Sequence, residues 1–117
     1  MNFFLIGQPN VGKSSIYNIL TNNNKNIIHS KEGTTIDWHS SNIYNNKSLS
    51  IYETPGLIIN DNKLNLSHLN NLLNKIDIFF YVINYSDPQN LIDKEALKVL
   101  RKFDKKIILI INKDDSL

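Results

Sequence analysis

The sequence predicts an α/β fold: a mostly parallel sheet covered on both faces, with one antiparallel strand supplied by a hairpin. Three observations point to it. Apolar runs at residues 2–6, 78–83 and 107–111 are short and almost unbroken, as strands buried on both faces are. Stretches with apolar residues three and four apart lie between those runs, as amphipathic helices would. At residues 41–53 two segments flank Asn45-Asn46-Lys47, and the second alternates apolar with polar residues, a hairpin signature.

Taken in order, residues 2–6 run as a strand into Gly7, and a glycine-bounded loop spans residues 7–14. Ile16, Ile19 and Leu20 then keep helical spacing over residues 14–20. Residues 21–40 sustain no period and are mostly polar, so they read as one long loop. The hairpin pairs residues 41–44 with 49–53, where Leu49 and Ile51 alternate against polar neighbours. Residues 54–62 carry Pro55 and Gly56 and form a second loop. Leu64, Leu66, Leu69, Leu72, Leu73 and Ile76 suit an amphipathic helix. Residues 78–83 return to a strand, and residues 91–103 are helical through Leu91, Ile92, Ala96, Leu97, Val99, Leu100 and Phe103. The strand at 107–111 opens into Asn112-Lys113-Asp114-Asp115. No repeat or linker interrupts the chain, so residues 1–117 read as one domain.

Composition narrows the classes. At 117 residues, 41% hydrophobic and 21% charged, the chain is globular rather than disordered. A formal charge of +2 is too small to argue for nucleic acid or a membrane surface. The absence of cysteine excludes disulfides, Cys-based zinc sites and thiol nucleophiles, and fits a reducing, cytoplasmic setting. The first residues lack the length and charge of a signal peptide, and no apolar run approaches membrane-spanning length, so no membrane is expected. The Asn clusters at 22–24 and 45–46 are short and lie between periodic segments, which fits codon drift better than a low-complexity tract.

Four motifs carry chemistry, and all fall where an α/β sheet binds ligands, beyond the carboxyl ends of its strands. Gly7-Gln8-Pro9-Asn10-Val11-Gly12-Lys13-Ser14 matches G-x-x-x-x-G-K-[ST], between a strand and a helix. Its glycines let successive N–H groups turn toward phosphate oxygens; Lys13 would reach the β- and γ-phosphates and Ser14 would ligate Mg²⁺. Chance produces such a match in roughly one per cent or less of chains this size. Asn112-Lys113-x-Asp115 ends an apolar strand, and the Asp115 carboxylate can accept the paired donors of guanine, which adenine does not offer. A mismatched base would leave that carboxylate unpaired, at a cost of several kcal/mol. Glu53-Thr54-Pro55-Gly56 follows a strand, where the carboxylate would face Mg²⁺ through water and the Gly56 N–H would meet the γ-phosphate. Gly33-Thr34-Thr35-Ile36-Asp37 supplies a threonine that can close over the metal. Each of the last two could be a plain turn on its own; order and spacing favour the site.

Together these motifs resemble the Era-like bacterial P-loop GTPases. Within them, residues 87–115 are most similar to the first GTPase domain of the Der-type ribosome-assembly GTPases. The resemblance spans essentially the whole chain and implies a three-layer, Ras-like G domain that hydrolyses GTP to GDP. Carried over by position, it implies that Lys13, Thr35 and Gly56 serve catalysis. Nucleotide contacts would come from residues 7–15, including Pro9, Val11 and Ser15, from Glu53, Thr54, Pro55, Gly56 and Leu57, and from Asn112, Lys113 and Asp115. Ser14, Thr35 and Glu53 would hold Mg²⁺, and Asn10 a K⁺ ion. Leu57 falls where other GTPases carry a catalytic glutamine.

Two departures qualify that picture. Glu53 stands where the family has Asp, which puts hydrolysis in doubt since Mg²⁺ tolerates little distortion. The family's last strand and last helix have no counterpart after Asp115, so the domain is expected to be C-terminally incomplete. The strand at 107–111 would then be an exposed edge open to a partner strand, and the face near Ile16 and Ile19 uncovered. Ribosome or rRNA contact would fall to regions this sequence does not contain. A tRNA-modifying GTPase, which shares Gly-Thr-Thr-x-Asp, and a nucleotide-binding module without hydrolysis are the competing readings. Among the other residues, His29, His39 and His68 lack metal spacing and read as solvated. Trp38 reads as partly buried or as a partner contact. Arg101, Lys102, Lys105 and Lys106 complement a helix end, and Asp87, Asp93 and Glu95 read as a solvated face.

Overall fold

A computed structural model describes residues 1–8, 12–22, 27–30, 37–44, 46–53, 70–84 and 91–112. The elements run β1 (Asn2–Gly7), α1 (Lys13–Thr21), β2 (Ile27–Ser30), β3 (Asp37–Ile43), β4 (Asn46–Glu53), α2 (Asn70–Leu73), β5 (Ile78–Asn84), α3 (Leu91–Arg101) and β6 (Lys106–Asn112). The strands form a six-stranded sheet in the order β2-β3-β4-β1-β5-β6. β1 lies parallel to β4 and β5, and β5 parallel to β6; β3 pairs antiparallel with both β2 and β4. Only β3 therefore runs against the rest, as the hairpin predicts.

Side-chain alternation along the central strands builds two cores. Phe4, Ile6, Phe79, Tyr81 and Ile83 face α2 and α3, where they bury against Leu72, Leu73, Ile76, Ala96 and Leu100. Leu5, Ile51 and Val82 face the opposite way and pack with Tyr17 of α1 and with Ile43. This gives three layers: helix, sheet, helices. The base of the sheet is tied by Asn2, whose N–H donates to Asp77 Oδ2 at 2.8 Å and whose side chain donates to the Lys75 carbonyl at 2.8 Å.

Several local expectations change. The stretch read as one long loop contains β2, which pairs Ile27 with Ser40 and Ser30 with Asp37 in backbone register. Antiparallel pairing satisfies backbone groups whatever the side chains are, so β2 carries no periodic signal. β3 starts earlier and β4 begins nearer the turn than the alternation suggests; Asn46 Oδ1 caps that turn by accepting from the Ser48 N–H at 2.9 Å. α1 turns Lys13, Tyr17 and Thr21 inward. Ile19, expected on its apolar face, is 65% exposed, and Ile16 is half-buried. α3 ends at Arg101, and a turn with Asp104 at φ 54° feeds β6. Among the described residues no strand pairs with the far side of β6, whose Leu109 and Ile111 are exposed.

Candidate functional site

The carboxyl ends of β1, β4 and β6 converge on the start of α1. Leu5 of β1 sits in register with Glu53 of β4, Gly7 with Val82 of β5, and Asn84 of β5 with Asn112 of β6. The chain enters α1 through Gly12, held at φ 92° in the left-handed region, and the Ile16 N–H donates to the Gly12 carbonyl at 3.1 Å. A Cβ at Gly12 would collide with the Asn112 side chain. The glycine-rich loop and the end of β6 thus meet in a gap only glycine leaves open. Among the described residues no side chain caps α1 and no acidic residue lies in its first turn, which leaves the positive helix end without an anionic partner of its own there.

Lys13 is 7% exposed and Glu53 4%. Burial pulls the Lys13 pKa down, and the Glu53 charge partly offsets this. Burial pushes the Glu53 carboxyl up, opposed by Lys13 and by His39, its register partner on β3. Each charge is thus held in poor solvent and steadied by the other, which suits a cation waiting for an anionic ligand. Ser14 is exposed at the first turn of α1. Its hydroxyl and the Glu53 carboxylate are hard oxygen donors of the kind Mg²⁺ takes alongside phosphate and water. The described residues therefore fit a Mg²⁺–nucleotide phosphate group: a glycine cradle, a desolvated lysine and two oxygen donors around one helix N-terminus.

Asp93 was expected on a solvated face. It is instead 5% exposed, and its Oδ1 accepts from the Tyr81 hydroxyl at 2.6 Å and from Gln8 Nε2 at 2.9 Å. Glu95 remains at the surface and pairs with Lys98 at 3.3 Å. The sequence signal for Asp93 is its spacing: it lies three residues before Ala96 and seven before Leu100, the buried positions of α3. This network fastens the first residue after β1 to α3, across the core. Gly7, Gln8, Gly12, Lys13, Ser14, Ser15, Glu53 and Asn112 all fall at this end of the sheet. Pro9, Asn10, Val11, Thr35, Thr54, Pro55, Gly56, Leu57, Lys113 and Asp115 lie outside the described residues, as do the side chains of Trp38 and His29, together with His68 and Asp87.

A phosphate-binding loop between a central parallel strand and a helix, facing an acidic β4 end, defines a P-loop nucleotide-binding domain. The chain belongs to the 50S ribosome-binding GTPase family, whose family model matches residues 2–113, and its relatives are of the TrmE-Era-EngA type. It is 40% identical over 116 residues to the tRNA modification GTPase MnmE of Wigglesworthia glossinidia brevipalpis, covering 95% of this chain and 26% of that protein. It is 32% identical over 117 residues to the GTPase Der of Campylobacter hominis, covering 95% of this chain and 25% of that protein. The chain thus spans about a quarter of the length of these relatives. A GDP-bound NFeoB mutant of S. thermophilus superposes with a TM-score of 0.76 at 21% identity, over 96% of this chain and 44% of that one; this likeness shows the fold. No helix among the described residues is long and apolar enough to cross a membrane.

Proposed function

We propose that this chain is a GTP-binding switch that hydrolyses GTP to GDP and phosphate, acting in the cytosol in assembly of the large ribosomal subunit. The observation that supports it best is the close approach of Gly12, in the glycine-bounded loop, to the side chain of Asn112, the first residue of Asn112-Lys113-x-Asp115. The amides around Gly12, with Lys13, would hold the β- and γ-phosphates and take up charge developing in the transition state. Mg²⁺, carried by Ser14 and Thr35 and faced by Glu53, would neutralise the phosphate oxygens. Gly56 would meet the γ-phosphate, and Asp115 would select guanine. Lys13 and Glu53 are both buried, and each feels the other's charge before ligand arrives. Asn10 offers a carbonyl oxygen for K⁺, which should raise the rate above that in Na⁺.

A second reading, the guanine-nucleotide domain of a tRNA-modifying GTPase, is favoured by the 40% identity to the Wigglesworthia protein. A third, binding without turnover, rests on the extra methylene of Glu53. Calorimetric titration with GTP and ATP tests what all three share. Tight GTP and weak ATP binding, with preference moving to xanthine nucleotides in Asp115→Asn, is the expected result; equal affinities would refute guanine selection. Multiple-turnover phosphate release in K⁺ and in Na⁺ then separates enzyme from binder.

A further inference from the structure

Below Lys13 on α1 lies a buried group that the proposed mechanism does not use. Tyr17 is 1% exposed, and its hydroxyl has no hydrogen-bond partner among the described residues. A buried phenol without a partner is costly, and native structures rarely keep one without a reason. Its placement supplies the reason. Lys13 and Tyr17 are four residues apart, hence stacked on one side of α1, and both face the sheet. Ile51 and Glu53 are two apart, hence on one side of β4, and Ile51 packs in the same core as Tyr17. Side chains on a helix lean toward its N-terminus, which for Tyr17 is the direction of Glu53. The Glu53 charge reaches the phenol: after burial, it is the further cause that raises the Tyr17 pKa.

We propose that the Tyr17 hydroxyl is a positioning donor for Glu53, engaged once a nucleotide draws the Lys13 ammonium onto its phosphates. In the nucleotide-free protein burial disfavours the Glu53 charge, and Lys13, then His39, only partly offset that cost. When Lys13 turns to the phosphates, Glu53 needs another donor, and the phenol is the buried donor left over. The arrangement also accounts for the length of Glu53. A carboxylate one methylene longer can keep an oxygen on the phenol while the other faces the metal, whereas an aspartate would be drawn back from one of them. The inference rests on the nucleotide-site reading above and concerns only how Glu53 is held.

The test is a double-mutant cycle of Tyr17→Phe and Glu53→Asp, read as GDP affinity with Mg²⁺ and in EDTA, beside urea unfolding of the nucleotide-free chain. With Mg²⁺, Tyr17→Phe should weaken GDP binding about tenfold, the scale of one hydrogen bond to a charged group. In EDTA the loss should persist, because it is the nucleotide and not the metal that draws Lys13 from Glu53. In the Glu53→Asp background the same substitution should have little effect in either condition. Nucleotide-free stability should hold or rise, because the hydroxyl removed had no partner. Equal losses in both backgrounds, no loss at all, or a loss that tracks a fall in nucleotide-free stability would each overturn the inference. A parent chain that takes up no GDP would sink the nucleotide site itself, and this inference with it.

Discussion

Gly12 and Asp93 show how single residues set this site. At Gly12 a left-handed φ of 92° coincides with a side chain from another strand occupying the space of a Cβ. Gly12→Ala is therefore expected to cost about 1–3 kcal/mol in backbone strain alone, with further loss as Asn112 is displaced. Urea unfolding should report the first effect and GDP titration the second. At Asp93 one carboxylate oxygen receives two donors in a buried setting. Asp93→Ala should destabilise the chain by about 2–4 kcal/mol, since the Tyr81 hydroxyl is left buried without its acceptor; Asp93→Asn, which keeps a carbonyl oxygen there, should be milder. The two residues differ in how far the sequence betrays them. Gly12 is legible because a motif fixes its spacing to Lys13 and Ser14. Asp93 is not, because an acidic residue on a helix is solvated by default, and only its register with Ala96 and Leu100 speaks against that.

Among the described elements, a strong apolar period marks some in the sequence, and those built on backbone pairing carry no such mark. β1, β5 and β6 announce themselves through unbroken runs, and α3 through its 3–4 spacing. β2 stayed hidden because antiparallel pairing with β3 asks nothing of its side chains. The inward face of α1 differs from its apolar pattern for a related reason. Lys13 and Thr21 lie on the buried side for the sake of the site and the helix end, where the Thr21 hydroxyl returns to the Tyr17 carbonyl at 2.8 Å, so polarity misleads there. The β3–β4 turn carries a testable irregularity. Tyr44 sits at φ 47° and is exposed, a conformation that Asn adopts far more readily. Its N–H donates to the Leu20 carbonyl at 2.9 Å, which holds the turn against the end of α1. Tyr44→Asn keeps that N–H and should raise stability by about 0.5–1 kcal/mol, read as a higher urea midpoint with unchanged m-value.

For the whole molecule, the two buried phenols set an upper pH limit. Burial raises both Tyr17 and Tyr81, and the Asp93 carboxylate raises Tyr81 further. A group whose folded pKa is raised contributes stability that is intact below its unfolded pKa, about 10 for tyrosine, and lost as pH climbs beyond it. Stability should thus fall steeply above about pH 10, with phenolate absorbance of these two side chains appearing only as the chain unfolds. Tyr81→Phe should blunt that fall. The strand order has a separate consequence, for the time course of folding. β1 comes first in the chain yet lies inside the sheet, between β4 and β5. Its Phe-Phe-Leu-Ile run cannot be flanked until residue 84 has left the ribosome. At synthesis rates of about 5–20 residues per second, that leaves β1 incompletely paired for several seconds or more. The local β3–β4 hairpin can close within microseconds, so it offers β1 its first landing edge. A newborn chain thus guards its most adhesive segment on a borrowed edge before the sheet exists to enclose it.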